Sequence, residues 1–511
     1  MAHMITQNSK LKTQNWTQGW RELWPWGWLA ALAVAGVISV APPLIAGAAL
    51  GGLVVAFLIL RNPVWGAYGL VLSVPVQKAV SIDAGPVEIT VTQVLFVFVL
   101  GVWWAWLALR QDRRLVVTPV AGALILFLVA TLPSLWVTTS MPESLAEISR
   151  WVVTILAYVI MVNSVQTRRE MNGLIVAMLV AGMSEALLGI VQAYSGFGPE
   201  SFNVGGLLTR AYGTIGAPNS FAGYINLSLP LAISLALYQV GRWRKARGLV
   251  PLLERPSFVS WENLRVPVGM LLVALVLFWT LMTTLSRGAW VGLAVGVLAM
   301  VLALGKRAAA AISTLFATSV ALAGLGLVGA LPPTVSERFG LLVSQIAVFD
   351  PRGITPTPEN YAIVERMVHW QVAGNMFLSS PWVGVGIGNF SVLFNTFGVQ
   401  GWPYSRGHAH NYYLHTLAET GVVGFTFYML MLVTAVVVGV RALRRVRAAG
   451  DGYGEAVVIG ALGILVTFIV HNVFENLHAL NMGIHWGAAL ALFTLVARGQ
   501  GSGVRDQERR T

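Results

Sequence analysis

The 511-residue chain contains no cysteine, which excludes disulfides, thiolate nucleophiles and Cys-based metal centres. Charge is also scarce: Asp, Glu, Lys and Arg make up 11% of residues, whereas soluble domains carry about a quarter. With 56% hydrophobic residues and a mean hydropathy of +0.71, the composition excludes a soluble enzyme and a disordered scaffold. Met1 to Met4 read as a cloning remnant, so His3 enters no functional argument. The first apolar run lacks a small-residue cleavage site, so no cleavable signal peptide is expected.

What the chain has in abundance is apolar length. Runs of ~20 residues recur from Trp28 to Val496, each able to cross a ~30 Å hydrocarbon layer. The expected fold is an all-α polytopic membrane protein with about 12–14 transmembrane helices and one large, partly helical outer loop. Spans are expected near 27–42, 44–60, 64–80, 91–109, 115–136, 149–167, 171–193, 219–240, 266–285, 288–304, 308–330, 412–440, 455–471 and 482–497. This divides the chain into a cytoplasmic N-terminal segment (1–26), a helical region with short loops (27–330), a large loop (331–411), C-terminal helices (412–497) and a cytoplasmic tail (498–511).

The net charge of +12 does not indicate nucleic acid, because the basic residues sit in short clusters between apolar runs. Counted on this map, 25 of the 33 Lys and Arg fall on one side. The other side keeps eight: Lys78, Arg150, Arg210, Arg287, Arg338, Arg352, Arg366 and Arg406. The rich side is cytoplasmic by the positive-inside rule, so both termini are expected inside. All histidines after His3 (His369, His408, His410, His415, His471, His478 and His485) fall in outer segments or outer halves of spans.

Three outer segments carry cations that need a reason to be there. Arg210 lies in the turn-rich stretch Arg210-Ala-Tyr-Gly-Thr-Ile-Gly-Ala-Pro-Asn219, which re-enters a span near Asn219. Arg287 lies in the tight turn Leu285-Ser286-Arg287-Gly288 between two apolar spans, where a guanidinium must either snorkel or hold an anion. In the third segment, Thr357-Pro358-Glu359 has the order of a helix start, and residues 358–379 read as an amphipathic helix on the outer leaflet, stopped before Pro381. Its apolar stripe is Ile363, Met367, Trp370 and Phe377, with Arg366 and His369 to one side. The run Gly384-Val-Gly-Ile-Gly-Asn389 is a turn and not a nucleotide loop, since no strand or Walker lysine accompanies it.

The loop ends in Gly407-His408-Ala-His410-Asn411-Tyr412 and leads directly into a span. Asn411, His415 and Glu419 follow i, i+4 spacing and would share part of a helix face with His410 beside them. Two alternating histidines on a turn make a poor zinc site without further ligands. A neutral imidazole beside arginines can instead accept a proton near neutral pH.

On these residues the chain resembles the O-antigen ligase / O-antigen polymerase-like superfamily of bacterial membrane glycosyltransferases. The matching features are Arg210…Gly213-Thr214…Pro218-Asn219, Ser286-Arg287-Gly288, and Arg366…Trp370…Pro381…Gly384-Val-Gly-Ile-Gly-Asn389-Phe390. His410-Asn411 completes the pattern, with Gly421-Val-Val-Gly424 at the family's spacing behind it. The resemblance covers about residues 200–430. It implies an O-antigen ligase-like enzyme of the bacterial inner membrane that moves a glycan from an undecaprenyl-diphosphate donor to an acceptor hydroxyl at the periplasmic face, inverting the anomeric centre. The acceptor would be the lipid A core in a ligase and another lipid-linked glycan in a polymerase. His410 would be the general base and Arg287 and Arg210 would hold the diphosphate, with Arg366, Asn411, His408, Asn219 and Ser286 contacting substrate. Membrane lipids are the other expected partners, and no nucleic acid is expected. No metal or cofactor is expected either, because the outer segments carry no Asp-x-Asp motif or acidic cluster. A small-anion (bicarbonate-like) transporter is the alternative of another class; such proteins carry mid-span ionisable groups, of which Glu185 is the clearest here.

The charge asymmetry gives the first prediction. A cysteine introduced at Thr357 should label from the periplasm in intact cells, and one at Ser502 only after the membrane is permeabilised. The reverse pattern would turn all three segments toward the cytosol and contradict the topology.

Overall fold

The computed structural model describes residues 43–78, 81–84, 87–109, 115–204, 206, 208–248, 261–305, 349–357, 360–399, 401–402 and 404–508. The expected spans 27–42 and 308–330, the loop residues 331–348, and Pro358 and Glu359 lie outside the described residues. Two compact units are present, residues 1–65 and 66–511. In the first, the described residues form helix α1 (Pro43–Arg61) and the start of α2 (Val64–Ser73).

The second unit continues through α2 and a short hairpin, β1 (Ser81–Ala84) with β2 (Val87–Thr90), into α3 (Val91–Leu109). Next come α4 (Pro119–Thr131), α5 (Met141–Ser164) and α6 (Arg168–Ser195). A second hairpin, β3 (Asn203–Val204) with β4 (Leu208–Thr209), precedes α7 (Pro218–Asn226) and α8 (Leu229–Gly248). The chain then forms α9 (Trp261–Thr283), α10 (Arg287–Leu304), α11 (Tyr361–Ser379) and the short α12 (Phe390–Leu393). It closes with α13 (Tyr412–Ala448), α14 (Gly452–His471) and α15 (Met482–Glu508). Among the described residues, nine helices are long and apolar enough to cross a membrane, and Leu50–Arg61, Val64–Ser73 and Met482–Arg498 are shorter apolar helices. This is an all-α polytopic membrane protein.

Local sequence sets the helix ends. Thr167 and Glu170 form a reciprocal capping box at the start of α6, and Gly196 ends it in the left-handed conformation at φ 71°. The burial profile then sorts the helices: Pro218–Arg242 is 89% buried and α14 is 72% buried, whereas α3 is 22% buried. The first two therefore form the centre, and α3 turns Val97 and Trp104 outward, as a lipid-facing helix must. Helix α10 packs on α14 through Gly292 and Gly296, one turn apart. A Cβ there would lie 2.9 Å from the Thr467 carbonyl oxygen and 2.0 Å from Thr467 Oγ1, respectively. Such close backbone approach is the usual way membrane helices gain packing energy.

Helix α11 starts at Tyr361 rather than 358 and ends before Pro381 as expected. Its buried residues, however, are Val364, Val368, Val372 and Met376, which join Phe390, Phe394 and Ala418 in one core. The expected stripe of Ile363, Trp370 and Phe377 is only half-buried, while Met367 is buried. The i, i+4 valine row has found a protein partner in α12 and α13, so α11 is a packed element of a folded cap.

The glycine run is a turn, and it also repairs a break in α13. Gly421 has φ 62°, which interrupts the helix. The amides of Val422 and Val423 donate to the carbonyls of Pro381 (2.8 Å) and Trp382 (3.2 Å) instead. The carbonyls of Ala418 and Glu419 accept from Val385 and Gly386, both at 3.0 Å. The Glu419 carboxylate accepts the amides of Gly388 and Phe390, both at 2.8 Å. These four backbone groups beside the break are thus paired within protein, as a low-dielectric setting favours. A Cβ on Gly421 would sit 2.3 Å from the Trp382 carbonyl carbon. Gly421→Ala should therefore destabilise the protein by at least ~1–3 kcal/mol, read as lower thermal stability in detergent. Gly101→Ala, where nothing lies within 4 Å of the added Cβ, should not. Equal stability of the two variants would contradict this account of the break.

Candidate active site

Arg210 is held by elements that its own segment recruits. Its amide donates to the Phe202 carbonyl at 2.8 Å, and the neighbouring Ala211 amide donates to the Thr283 carbonyl at 3.2 Å. The guanidinium donates from Nε to the Thr284 carbonyl (2.9 Å) and from Nη2 to Asn219 Oδ1 (3.0 Å). Behind it, Gln192 Oε1 accepts the amides of Tyr212 (3.3 Å) and Gly213 (2.7 Å). Glu185 accepts the Thr214 amide at 3.0 Å and its hydroxyl at 2.5 Å. Gly213 has φ 55°, and a Cβ there would lie 2.2 Å from Glu185 Oε2, so only glycine fits this turn. Glu185, the mid-span acid that suggested transport, is therefore engaged in fixing the Arg210 loop.

Arg287 is the first residue of α10, following Leu285 in the left-handed region at φ 53° and a buried Ser286. Gly288 lets this turn press against Phe474, whose Cβ lies 2.6 Å from the position a Gly288 Cβ would take. That contact brings the segment after α14 beside the arginines. Burial lowers the pKa of Arg210, the nearby Arg287 lowers it further, and Glu475 opposes both. Burial likewise lowers the pKa of Arg366, with Glu475 raising it and Arg287 lowering it. Arg210, Arg287 and Arg366, far apart in sequence, thus share one electrostatic field with one carboxylate. Arg366 Nε is buried without a hydrogen-bond partner among the described residues.

The two histidines of the loop meet the same carboxylate. His408 Nε2 lies 3.0 Å from Glu475 Oε1, and His410 Nδ1 lies 3.8 Å from Oε2. Burial works to raise the Glu475 carboxyl, but the paired His408 and His410 outweigh it and hold the group well below the usual carboxylate range. His410 adopts φ 51°, and its amide donates to His408 Nδ1 at 3.1 Å. An Nδ1 that accepts a proton leaves His408 Nε2 as the protonated nitrogen, donating to Glu475. His369, 5.2 Å from His410 between ring centroids, is also fully engaged: Nδ1 meets the Glu365 carbonyl at 2.7 Å and Nε2 accepts the Arg406 amide at 3.2 Å. Burial pushes its pKa down to about 4, so it stays neutral. Of these three rings, only His410 keeps a nitrogen, Nε2, with no partner among the described residues.

Residues 272–429 match a family profile described as O-Antigen ligase. The match spans 158 of the 511 residues, and that stretch is similar to an O-antigen ligase domain. No curated protein matches it. The family match contains Arg287, Arg366, His408, His410 and the Gly421 break, while Arg210 and Glu475 lie outside it and reach the site only through the fold.

Several residues expected to contact substrate have structural partners instead. Asn411 caps α13, its Oδ1 accepting the amides of Tyr413 (3.0 Å) and Leu414 (3.1 Å), so it is positioned to orient the His410 turn. Asn219 is occupied by Arg210. Ser286 is 3% exposed at the N-cap of α10 and donates its amide to Thr284 Oγ1 at 3.2 Å. His415 lies beside Glu419, with Nε2 at 3.5 Å, inside α13. His478 packs on Trp151 and Tyr412 and bonds Tyr428 Oη at 3.1 Å, and His485 bonds Ser228 Oγ at 3.1 Å. Sequence reading missed Glu475. Its signal is an acid in the short outer connection Asn472-Val-Phe-Glu-Asn476, where charge is otherwise rare.

His408, His410 and Glu475 bring one ligand atom each within 4.8 Å, a donor set of catalytic-zinc type. Two features disfavour a cation there. His408 Nε2 carries a proton toward Glu475, and the positive charges of Arg210 and Arg366 already act on the carboxylate. EDTA should accordingly leave activity unchanged. Complete loss in EDTA, restored by one divalent cation, would contradict this electrostatic assignment.

Proposed function

We propose that the protein transfers a glycan from undecaprenyl diphosphate to an acceptor sugar hydroxyl at the periplasmic face of the bacterial inner membrane, as an O-antigen ligase-type enzyme. The observation that carries this reading is that Arg210 and Arg366, each coupled to Arg287, share Glu475 with His408 and with His410, whose Nε2 has no partner among the described residues. A lipid A-core acceptor makes the reaction a ligation; a second lipid-linked glycan would make it a polymerisation. The termini are then cytoplasmic, with the cap of α11 and α12 on the periplasmic side.

In the proposed reaction the acceptor oxygen attacks the anomeric carbon as its proton passes to His410 Nε2. The carbon–oxygen bond to the diphosphate breaks, and its electron pair stays on the phosphate oxygen. Attack opposite the leaving group inverts the anomeric centre. Negative charge therefore grows on the diphosphate, where planar guanidinium forks stabilise it best. The imidazolium that forms on His410 faces Glu475 through Nδ1. Arg210, held through Nε and Nη2 by Thr284 and Asn219, is prepositioned and needs little reorganisation when donor binds.

Binding and chemistry separate by mutation. His410→Ala should lower turnover by ~10²–10⁴-fold while leaving donor binding nearly intact. Arg287→Lys keeps the charge but loses the fork, and should raise the barrier by about 2–3 kcal/mol. His408→Ala and His415→Ala should cost less than His410→Ala. Near-normal turnover of His410→Ala with abolition by His408→Ala would overturn the base assignment, and full activity of arginine variants would move the site elsewhere.

A further inference from the structure

A cleft of about 480 Å³ is lined by Phe349, Asp350, Met367, Trp370, Gln371 and Leu414. It falls in the ~300–1,000 Å³ range of ligand pockets. Two register relations connect it to the site. Trp370 follows Arg366 by one turn of α11, a rise of about 5.4 Å. Leu414 follows His410 by four residues at the start of α13. A molecule whose phosphates reach Arg366 and whose reacting carbon reaches His410 therefore has the cavity as the next space along α11.

The wall selects among the chemistries of such a molecule. Hydrogen bonds from the Arg352 side chain hold the Asp350 carboxyl below its ordinary range, so it is ionised, and it lies 2.9 Å from Arg352 Nε. The Asp350–Arg352 pair is neutral overall and offers a phosphate no net attraction. A wall with Asp350 and Gln371 is equally poor for a polyprenyl tail. An aromatic and apolar face (Trp370, Phe349, Met367) beside an acceptor carboxylate and an amide matches a sugar ring, which offers C–H bonds on its face and hydroxyls on its rim. Two further wall atoms, Trp370 Nε1 and Gln371 Oε1, are buried without a hydrogen-bond partner among the described residues. One is a donor and the other an acceptor, and a hydroxyl can serve either.

We infer that this cavity is a carbohydrate subsite that seats the sugar residue next to the reacting one, stacked on Trp370 and hydrogen-bonded by Gln371 and Asp350. The inference rests on the glycosyltransferase reading above. It is tested by initial rates of purified protein with an undecaprenyl-diphosphate-linked O-antigen repeat as donor and a lipid A-core acceptor. Sugar-free undecaprenyl diphosphate serves as a competing ligand. Gln371→Ala, at a half-buried position that folding tolerates, and Trp370→Ala should each raise one KM by ~10-fold, with the inhibition constant of sugar-free undecaprenyl diphosphate unchanged. A raised donor KM assigns the subsite to the donor glycan, and a raised acceptor KM assigns it to the acceptor. KM values within about twofold of wild type for both substrates overturn the subsite alone. So does a parallel rise in the inhibition constant, because the variants would then have disturbed the phosphate grip. Absence of transfer by the wild-type chain overturns the glycosyltransferase reading, and the subsite falls with it.

Discussion

Three guanidinium groups sit together at the mouth of an apolar helix bundle, where the self-energy of a charge is high and like charges repel. Arg210 and Arg366 each feel Arg287, and the carboxylate common to both is Glu475. That carboxylate in turn takes His408 at 3.0 Å and faces His410 at 3.8 Å. The residual charge of the cluster is positive, which suits the anionic leaving group of the proposed reaction. Of His369, His408 and His410, only His410 keeps a nitrogen, Nε2, without a partner among the described residues. Charge placement and base placement are thus one arrangement, centred on Glu475.

Backbone conformation delivers these side chains. The left-handed residues Leu285 and His410 lie directly before the helices that carry Arg287 and follow His410. Neither is glycine, so each turn stores strain that surrounding packing must hold. At the base of the cap, the break at Gly421 lets the 381–390 strap pair with α13 and fixes α11 beside it through the Val364, Val368, Val372 and Met376 row. Arg366 is aimed by that packing. Destabilising the strap therefore moves a guanidinium without touching the site itself.

Much of this was legible in the sequence, for a physical reason. A guanidinium in an apolar turn (Arg287) or a lone cation in an outer loop (Arg210) is expensive, and composition alone exposes it. The spans were legible because apolar length is a one-dimensional property, and α3 fell at 91–109 as expected. What sequence could not show were tertiary partnerships. Asn411, Asn219 and Glu185 look like free polar groups in one dimension, and each proves to be committed to a cap, an arginine or a loop. The face of α11 was misassigned because both rows are apolar, and only the neighbours decide which is buried. Glu475 escaped because a single acid in a short connection has no motif, and its meaning comes from Phe474 docking on Gly288.

The central claim is that Glu475 and His410 act as one unit. A double-mutant cycle on turnover at saturating donor measures that coupling directly. Glu475→Gln should slow the wild-type enzyme by ~10-fold or more, yet add almost nothing to His410→Ala. Independent, multiplicative losses in the double variant would contradict a coupled pair and leave Glu475 a purely structural residue.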